Sequence, residues 1–116
     1  MLEQPVLLVT RKLPEAVEAR ATRDYKAILN KSDEQFRATD LIERSKGVDA
    51  ILACSTEIFS AKVIESLAPS VKAIATFSVG YEHIDTNAAK KRDLILTNTP
   101  DVLTDATADL TILLML

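Results

Sequence analysis

The sequence predicts an α/β fold in which a parallel sheet of five strands is joined by crossover helices, and two observations carry that expectation. Five short apolar runs alternate with longer polar stretches of helical period, the rhythm of repeated βα units. The apolar runs are also continuous rather than alternating, as strands must be when helices cover both faces of their sheet. The averages agree: 116 residues, 47% hydrophobic and 27% charged, suit one domain able to bury a sizeable core.

The first strand is read at residues 5–10, a Val/Leu run that reads as central. Leu13, Val17 and Ala21 then recur at four-residue spacing behind Pro14, whose preset φ and missing N–H suit the first turn of a helix. Residues 25–29 form the second strand. Residues 30–40 are polar without a period and are expected to be an irregular loop; Thr39 or Asp40 then caps a short helix that carries Leu41 and Ile42 inward. That helix stops near Gly47, where a left-handed residue costs glycine nothing. The third strand, 48–54, follows at once. Ser60 caps a helix with Ala61, Ile64 and Leu67 on one stripe, ended near Pro69, and 71–77 is the fourth strand. After a loop at 78–85, a helix over 86–92 leads to the fifth strand at 94–98. Pro100 breaks the chain, and residues 103–116 read as a helix capped by Thr104 that becomes apolar on nearly every side and is expected to be buried. It reaches Leu116 with no capping glycine and no charged last turn, so the chain reads as cut rather than finished.

Several function classes drop out on composition. With 17 acidic and 14 basic residues the net charge is -3, and no basic run exceeds Lys90-Lys91-Arg92, so no nucleic-acid partner is expected. Those three cations sit at a helix end, where they are expected to complement its dipole on a solvated face. The longest apolar run, 112–116, falls far short of the ~20 residues that span a bilayer. Cys54 is the only cysteine and no charged-then-apolar leader opens the sequence, which points to a cytoplasmic location. The only glycines, Gly47 and Gly80, cannot assemble a G-x-G-x-x-G dinucleotide loop. A single histidine, His83, excludes zinc sites that need two imidazoles, and no metal is expected.

In an open parallel sheet, ligands bind beyond the carboxyl ends of the strands. Three loops matter here: Thr10-Arg11-Lys12 after strand one, Cys54-Ser55-Thr56 after strand three, and Ser78-Val79-Gly80-Tyr81 after strand four. A glycine directly after a buried strand lets the chain turn sharply and brings amide N–H groups close to a small anion such as a carboxylate; the plainer alternative is a tight turn and nothing more. His83 has the chemistry of a proton donor, but its place in the turn before a helix, with Asp85 as N-cap, favours a structural role. Cys54 lacks a neighbouring base and reads as inert strand-end packing.

The stretch Phe77-Ser78-Val79-Gly80-Tyr81-Glu82-His83-Ile84-Asp85, together with Thr97-Asn98-Thr99-Pro100-Asp101-Val102-Leu103-Thr104-Asp105-Ala106-Thr107-Ala108-Asp109-Leu110, resembles the amino-terminal part of the D-2-hydroxyacid dehydrogenases, and within them the glyoxylate/hydroxypyruvate reductase branch. The resemblance implies a flavodoxin-like five-stranded sheet of order 2-1-3-4-5 with helices on both faces. It implies a substrate domain at 1–102 and the start of an interdomain helix at 103–116. The NAD(P)-binding Rossmann domain, the family's arginine and its glutamate–histidine pair lie outside these residues, so no catalytic residue is assigned and the 116 residues alone are expected to be inactive. By the same resemblance the amides of Val79 and Gly80 hold the carboxylate of a small 2-oxoacid or 2-hydroxyacid, Ser78 and Tyr81 shape the loop, Cys54 and Ser55 line the far wall, and Thr107 faces the nicotinamide of NAD or NADP. A homodimer is implied as well. Asp93 and Asp101 stand where many relatives have glycine, though this branch often has aspartate at the second; an aspartate tolerates φ > 0 better than most residues. The fold also serves binding modules without catalysis. A receiver needs acids where Thr10 and Cys54 stand, a flavin carrier needs a Ser/Thr/Gly-rich loop where Leu13-Pro14 follow, and an assembly role rests on the apolar last helix alone.

Overall fold

β-rich apolar runs separated by polar amphipathic stretches become strands and helices in strict alternation. In the computed structural model, which describes residues 5–76 and 82–98, the order is β1 (Val6–Val9), α1 (Glu15–Asp24), β2 (Lys26–Ile28), α2 (Ala38–Arg44), β3 (Ala50–Ala53), α3 (Ala61–Ser66), β4 (Ala73–Thr76), α4 (Thr86–Lys91) and β5 (Ile95–Asn98). All four pairings are parallel and the sheet order is β2-β1-β3-β4-β5, as expected. Each strand is shorter than its apolar run, because residues such as Val48 and Val71 are buried but lie ahead of the ladder.

The period-two alternation of strand side chains splits the core in two. Leu8, Ile51, Ala53 and Ile74 share one face with Leu41, Val63, Ile64, Ala88 and Ala89, so α2, α3 and α4 cover that side. Leu7, Val9, Ala50, Leu52, Ala73 and Ala75 pack on the other with Val17 and Ala21 of α1. Right-handed crossovers account for the division: the chain moves one way from β1 to β2 and the opposite way thereafter, which, among the described residues, sends α1 alone to its own face.

Local details correct the sequence reading at three places. Pro14 is the N-cap of α1 rather than part of its first turn, with φ −52° and ψ 144°. The buried Glu18 carboxylate reaches back to the Leu13 N–H and the Lys12 ammonium, where an acid also favours the helix dipole. Neither Thr39 nor Asp40 caps α2. The N-cap is Arg37, whose backbone N–H donates to Asp40 Oδ2 at 2.9 Å, so Asp40 works from the third helical position, as the acid of a capping box does. Arg92 is no solvated cation: its guanidinium donates to the carbonyls of Ile64 (2.6 Å), Leu67 (2.8 Å) and Ala68 at the end of α3. Other expectations stand. Ser60 Oγ accepts from Val63 N–H, Asp85 accepts from Ala88 N–H, and Gly47 adopts φ +75° just beyond α2. A Cβ at Gly47 would meet nothing within 4 Å, so backbone conformation alone calls for glycine there.

Asp93 has φ +60°. The Leu94 N–H bonds to the Ala89 carbonyl at 2.9 Å and the Asp93 N–H to that of Lys90 at 3.1 Å, the paired bonds of a Schellman ending with aspartate in the glycine position. Asp93→Gly is therefore expected to raise stability by up to about 1 kcal/mol, visible as a higher Tm, because a left-handed aspartate carries a steric cost that glycine lacks. An unchanged or lower Tm would show that the entropy of the unfolded glycine offsets it.

The expected Phe77 end of β4 and the 103–116 helix with Pro100 and Thr104 lie outside the described residues. Among the described residues no helix is long and apolar enough to cross a membrane, and no group of three or more His, Cys, Asp or Glu is placed to hold a metal ion.

Candidate functional site at the carboxyl edge of the sheet

Strand order reverses between β1 and β3, the point beyond whose carboxyl ends doubly wound sheets bind ligands. Polar residues collect there. Thr10, Asn30, Glu57 and Thr76 are buried there. Glu57 spans the reversal: its Oε1 accepts from Thr10 Oγ1 at 2.5 Å and from the Cys54 backbone N–H at 3.2 Å, and its Oε2 from Thr56 Oγ1 at 2.6 Å. A buried carboxyl group is tolerated only with such partners.

The network continues outward. Thr56 Oγ1 also accepts from Arg11 Nη1 at 2.7 Å, and the Arg11 fork closes on Asp33 through Nε at 2.7 Å and Nη2 at 3.1 Å. Asp33, at φ +54°, receives the Lys12 N–H at 2.9 Å as well. The Arg11 guanidinium first, and then that backbone donor, hold its carboxyl at about 2, below the usual carboxylate range; Asp33 in turn raises Arg11. Asn30 fastens the same loop from beneath, its Nδ2 donating to the carbonyls of Thr10 and Glu34. Loops after β1, β2 and β3 thus form one hydrogen-bonded unit.

Across the edge, the His83 ring Nε2 and Thr76 Oγ1 are 2.8 Å apart, while the His83 carbonyl accepts the Phe59 N–H and the Phe59 carbonyl accepts the Asp85 N–H. Burial disfavours the imidazolium and lowers the His83 pKa, against the opposing pull of Glu82 and Glu57. Ring and backbone are both engaged in the turn before α4, which supports the structural reading of this histidine.

Of the predicted site residues, Cys54 is half-buried and Ser55 exposed at the end of β3. Ser78, Val79, Gly80, Tyr81 and Thr107 lie outside the described residues. Burial first, then the charge of Glu57, push the Cys54 thiol up to about 11 from an ordinary value of 9.0. Because the folded value is the raised one, the stability this thiol contributes is complete below 9.0 and is lost as pH rises through about 11. Alkylation of Cys54 by iodoacetamide is accordingly expected to be slow at neutral pH and to keep accelerating up to about pH 11. A profile levelling at the ordinary thiol value would show the side chain open to solvent.

Sequence reasoning named Thr10 and Arg11 only as loop members and passed over Glu57, Asp33 and Thr76. Nothing in one dimension separates Glu57 from a solvated loop acid; its burial comes from β1 lying beside β3.

A doubly wound sheet whose polar residues gather at the carboxyl edge is an α/β domain of the class that carries its ligand sites at that edge. The family model described as D-isomer specific 2-hydroxyacid dehydrogenase, catalytic domain, matches residues 6–113, and the chain belongs to that family. It is similar to a glycerate dehydrogenase of Hyphomicrobium methylovorum, 38% identical over 110 residues, which are 95% of this chain and 34% of that protein. A solved chain from Polaromonas sp. JS6 66, ascribed to the NAD-binding D-isomer specific 2-hydroxyacid dehydrogenases, superposes with a TM-score of 0.80 at 35% identity, over 97% of this chain and 35% of the other. An NADPH-dependent glyoxylate/hydroxypyruvate reductase of Sinorhizobium meliloti, solved with NADP and malonate, gives a TM-score of 0.67 at 28% identity over 97% of this chain and 33% of its own. The chain therefore spans about a third of the length of the relatives it matches.

Proposed function

We propose that this chain is the substrate-binding part of an NAD(P)-dependent D-2-hydroxyacid dehydrogenase that reduces glyoxylate or hydroxypyruvate, with residues 1–102 as its substrate domain and 103–116 as the start of an interdomain helix. The family match over residues 6–113 carries the reading. The relative solved with NADP and the dicarboxylate malonate favours a small carboxylate substrate. The amides of Val79 and Gly80 would grip that carboxylate, Ser78 and Tyr81 would shape the loop, Cys54 and Ser55 would wall the far side, and Thr107 would meet the nicotinamide. This chain's contribution is orientation: a fixed carboxylate presents the oxo carbon to one face of the cleft.

These residues do not themselves fit a dinucleotide. Gly47 and Gly80 are far apart in sequence and no glycine-rich loop follows β1, whose end is instead tied up by Glu57 and Asn30. Cofactor binding and the proton-transfer residues are assigned to further polypeptide, and a cytoplasmic homodimer completes the proposal. The test is oxidation of NADPH or NADH by glyoxylate and hydroxypyruvate, followed by absorbance, with the full-length polypeptide and with the 116 residues alone. Turnover by the former only is expected. Equal turnover by the short chain, or none by the full-length protein, would overturn the reading.

A further inference from the structure

Glu57, Thr56, Arg11 and Asp33 form a continuous line of side-chain hydrogen bonds across three loops, and that line ends on the backbone of the proposed substrate wall. From the geometry we infer that Glu57 is a positioning residue: its carboxyl group, fastened to Thr10 just after β1, holds the Cys54 N–H and so sets where Cys54 and Ser55 stand against the substrate. The inference rests on the function proposed above. Three features support it. Glu57 is fully buried, yet all three of its partners belong to chain segments that leave the carboxyl edge, and none to a helix that it might cap. Its contact with Cys54 is to the backbone, so it fixes the course of the wall regardless of which side chain the wall carries. Thr56, although exposed, is held from both sides, donating to Glu57 and accepting from Arg11, whose fork is occupied by Asp33. Pulling on the loop after β2 is thereby transmitted to the wall after β3.

A wall that touches substrate equally before and during reaction affects binding more than turnover. In the full-length polypeptide, Glu57→Gln keeps the shape but replaces one acceptor oxygen by an amide donor that faces donors. It is expected to raise KM for glyoxylate by about five-fold or more with kcat changed less than about two-fold, and to alter the ratio of kcat/KM for glyoxylate and hydroxypyruvate, because displacement of the wall is felt differently by substrates of different size. Should Glu57→Gln fail to fold, Thr56→Ala decides: it removes an exposed side chain and the Arg11 link, and is expected to move KM and the substrate ratio in the same sense, while Thr56→Ser restores the wild-type values. A purely structural role would lower Tm and leave KM and the ratio where they were. Wild-type KM and ratio in folded Glu57→Gln and Thr56→Ala proteins overturn this inference alone; a wild-type protein that reduces no 2-oxoacid overturns the proposed function and this inference with it.

Discussion

Phe59→Ala is expected to lower the free energy of unfolding by about 3–5 kcal/mol, a large share of the ~5–15 kcal/mol that a domain of this size has available. Phe59 is among the largest fully buried side chains and belongs to the core face shared by α2, α3 and α4. It directly precedes the N-cap Ser60, and Ile64, four residues beyond that cap, lies in the same cluster, the spacing of a hydrophobic staple that fixes how the chain enters α3. Its backbone does a second job, exchanging hydrogen bonds with His83 and Asp85 through a parallel bridge to Ile84. The substitution leaves those main-chain partners in place, so the loss falls on packing and on the cavity left behind. Urea titration followed by circular dichroism should show a lower midpoint with an unchanged slope. A loss near 1 kcal/mol would mean that the surrounding residues collapse into the space.

Arg92→Ala is the second large effect, about 2 kcal/mol, since it strips charged donors from backbone carbonyls at the half-buried end of α3. α3 runs only from Ala61 to Ser66; the Ile64 and Ala68 carbonyls also accept the Leu67 and Val71 N–H groups at 3.4 and 3.1 Å, so the guanidinium gives each a second, charged donor, and it bonds the Leu67 carbonyl as well. Removing the guanidinium takes away the charged donors and leaves the Ile64 and Ala68 carbonyls only their backbone bonds. Arg92→Lys keeps the charge but not the fork and is expected to recover only part of the loss. Thermal unfolding of the three proteins side by side checks the order, and a lysine variant as stable as arginine would assign the effect to charge and not to geometry. Because Arg92 is also the C-cap of α4, one side chain joins the ends of two adjacent helices on the same face of the sheet.

Much of this architecture was legible along the chain. Ser60 and Asp85 lie where their short oxygen-bearing side chains satisfy the first amides of α3 and α4, a local relation that sequence spacing expresses directly. Asp40 misled for an equally local reason, since an acid near a helix start serves as N-cap or as third residue, and only the backbone angles of Arg37 distinguish the two. Arg92 misled because its partners are 24 to 28 residues away, beyond any periodicity.

The same divide separates fold from site. The sequence by itself determined the βα rhythm, the fully covered sheet and the glycine-bearing motif that resembles the family, because each depends on residues a few positions apart. Only the tertiary structure brought Glu57 against Thr10, joined Arg11 to Asp33 and Thr56, and set His83 on Thr76. The pairings of Glu57 with Thr10 and of Arg11 with Asp33 and Thr56 exist because β1 lies between β2 and β3, which brings segments 22 to 47 residues apart to one edge and gives a buried acid donors it would not meet along the chain; the His83–Thr76 pair spans only 7 residues but needs the chain to fold back on the end of β4.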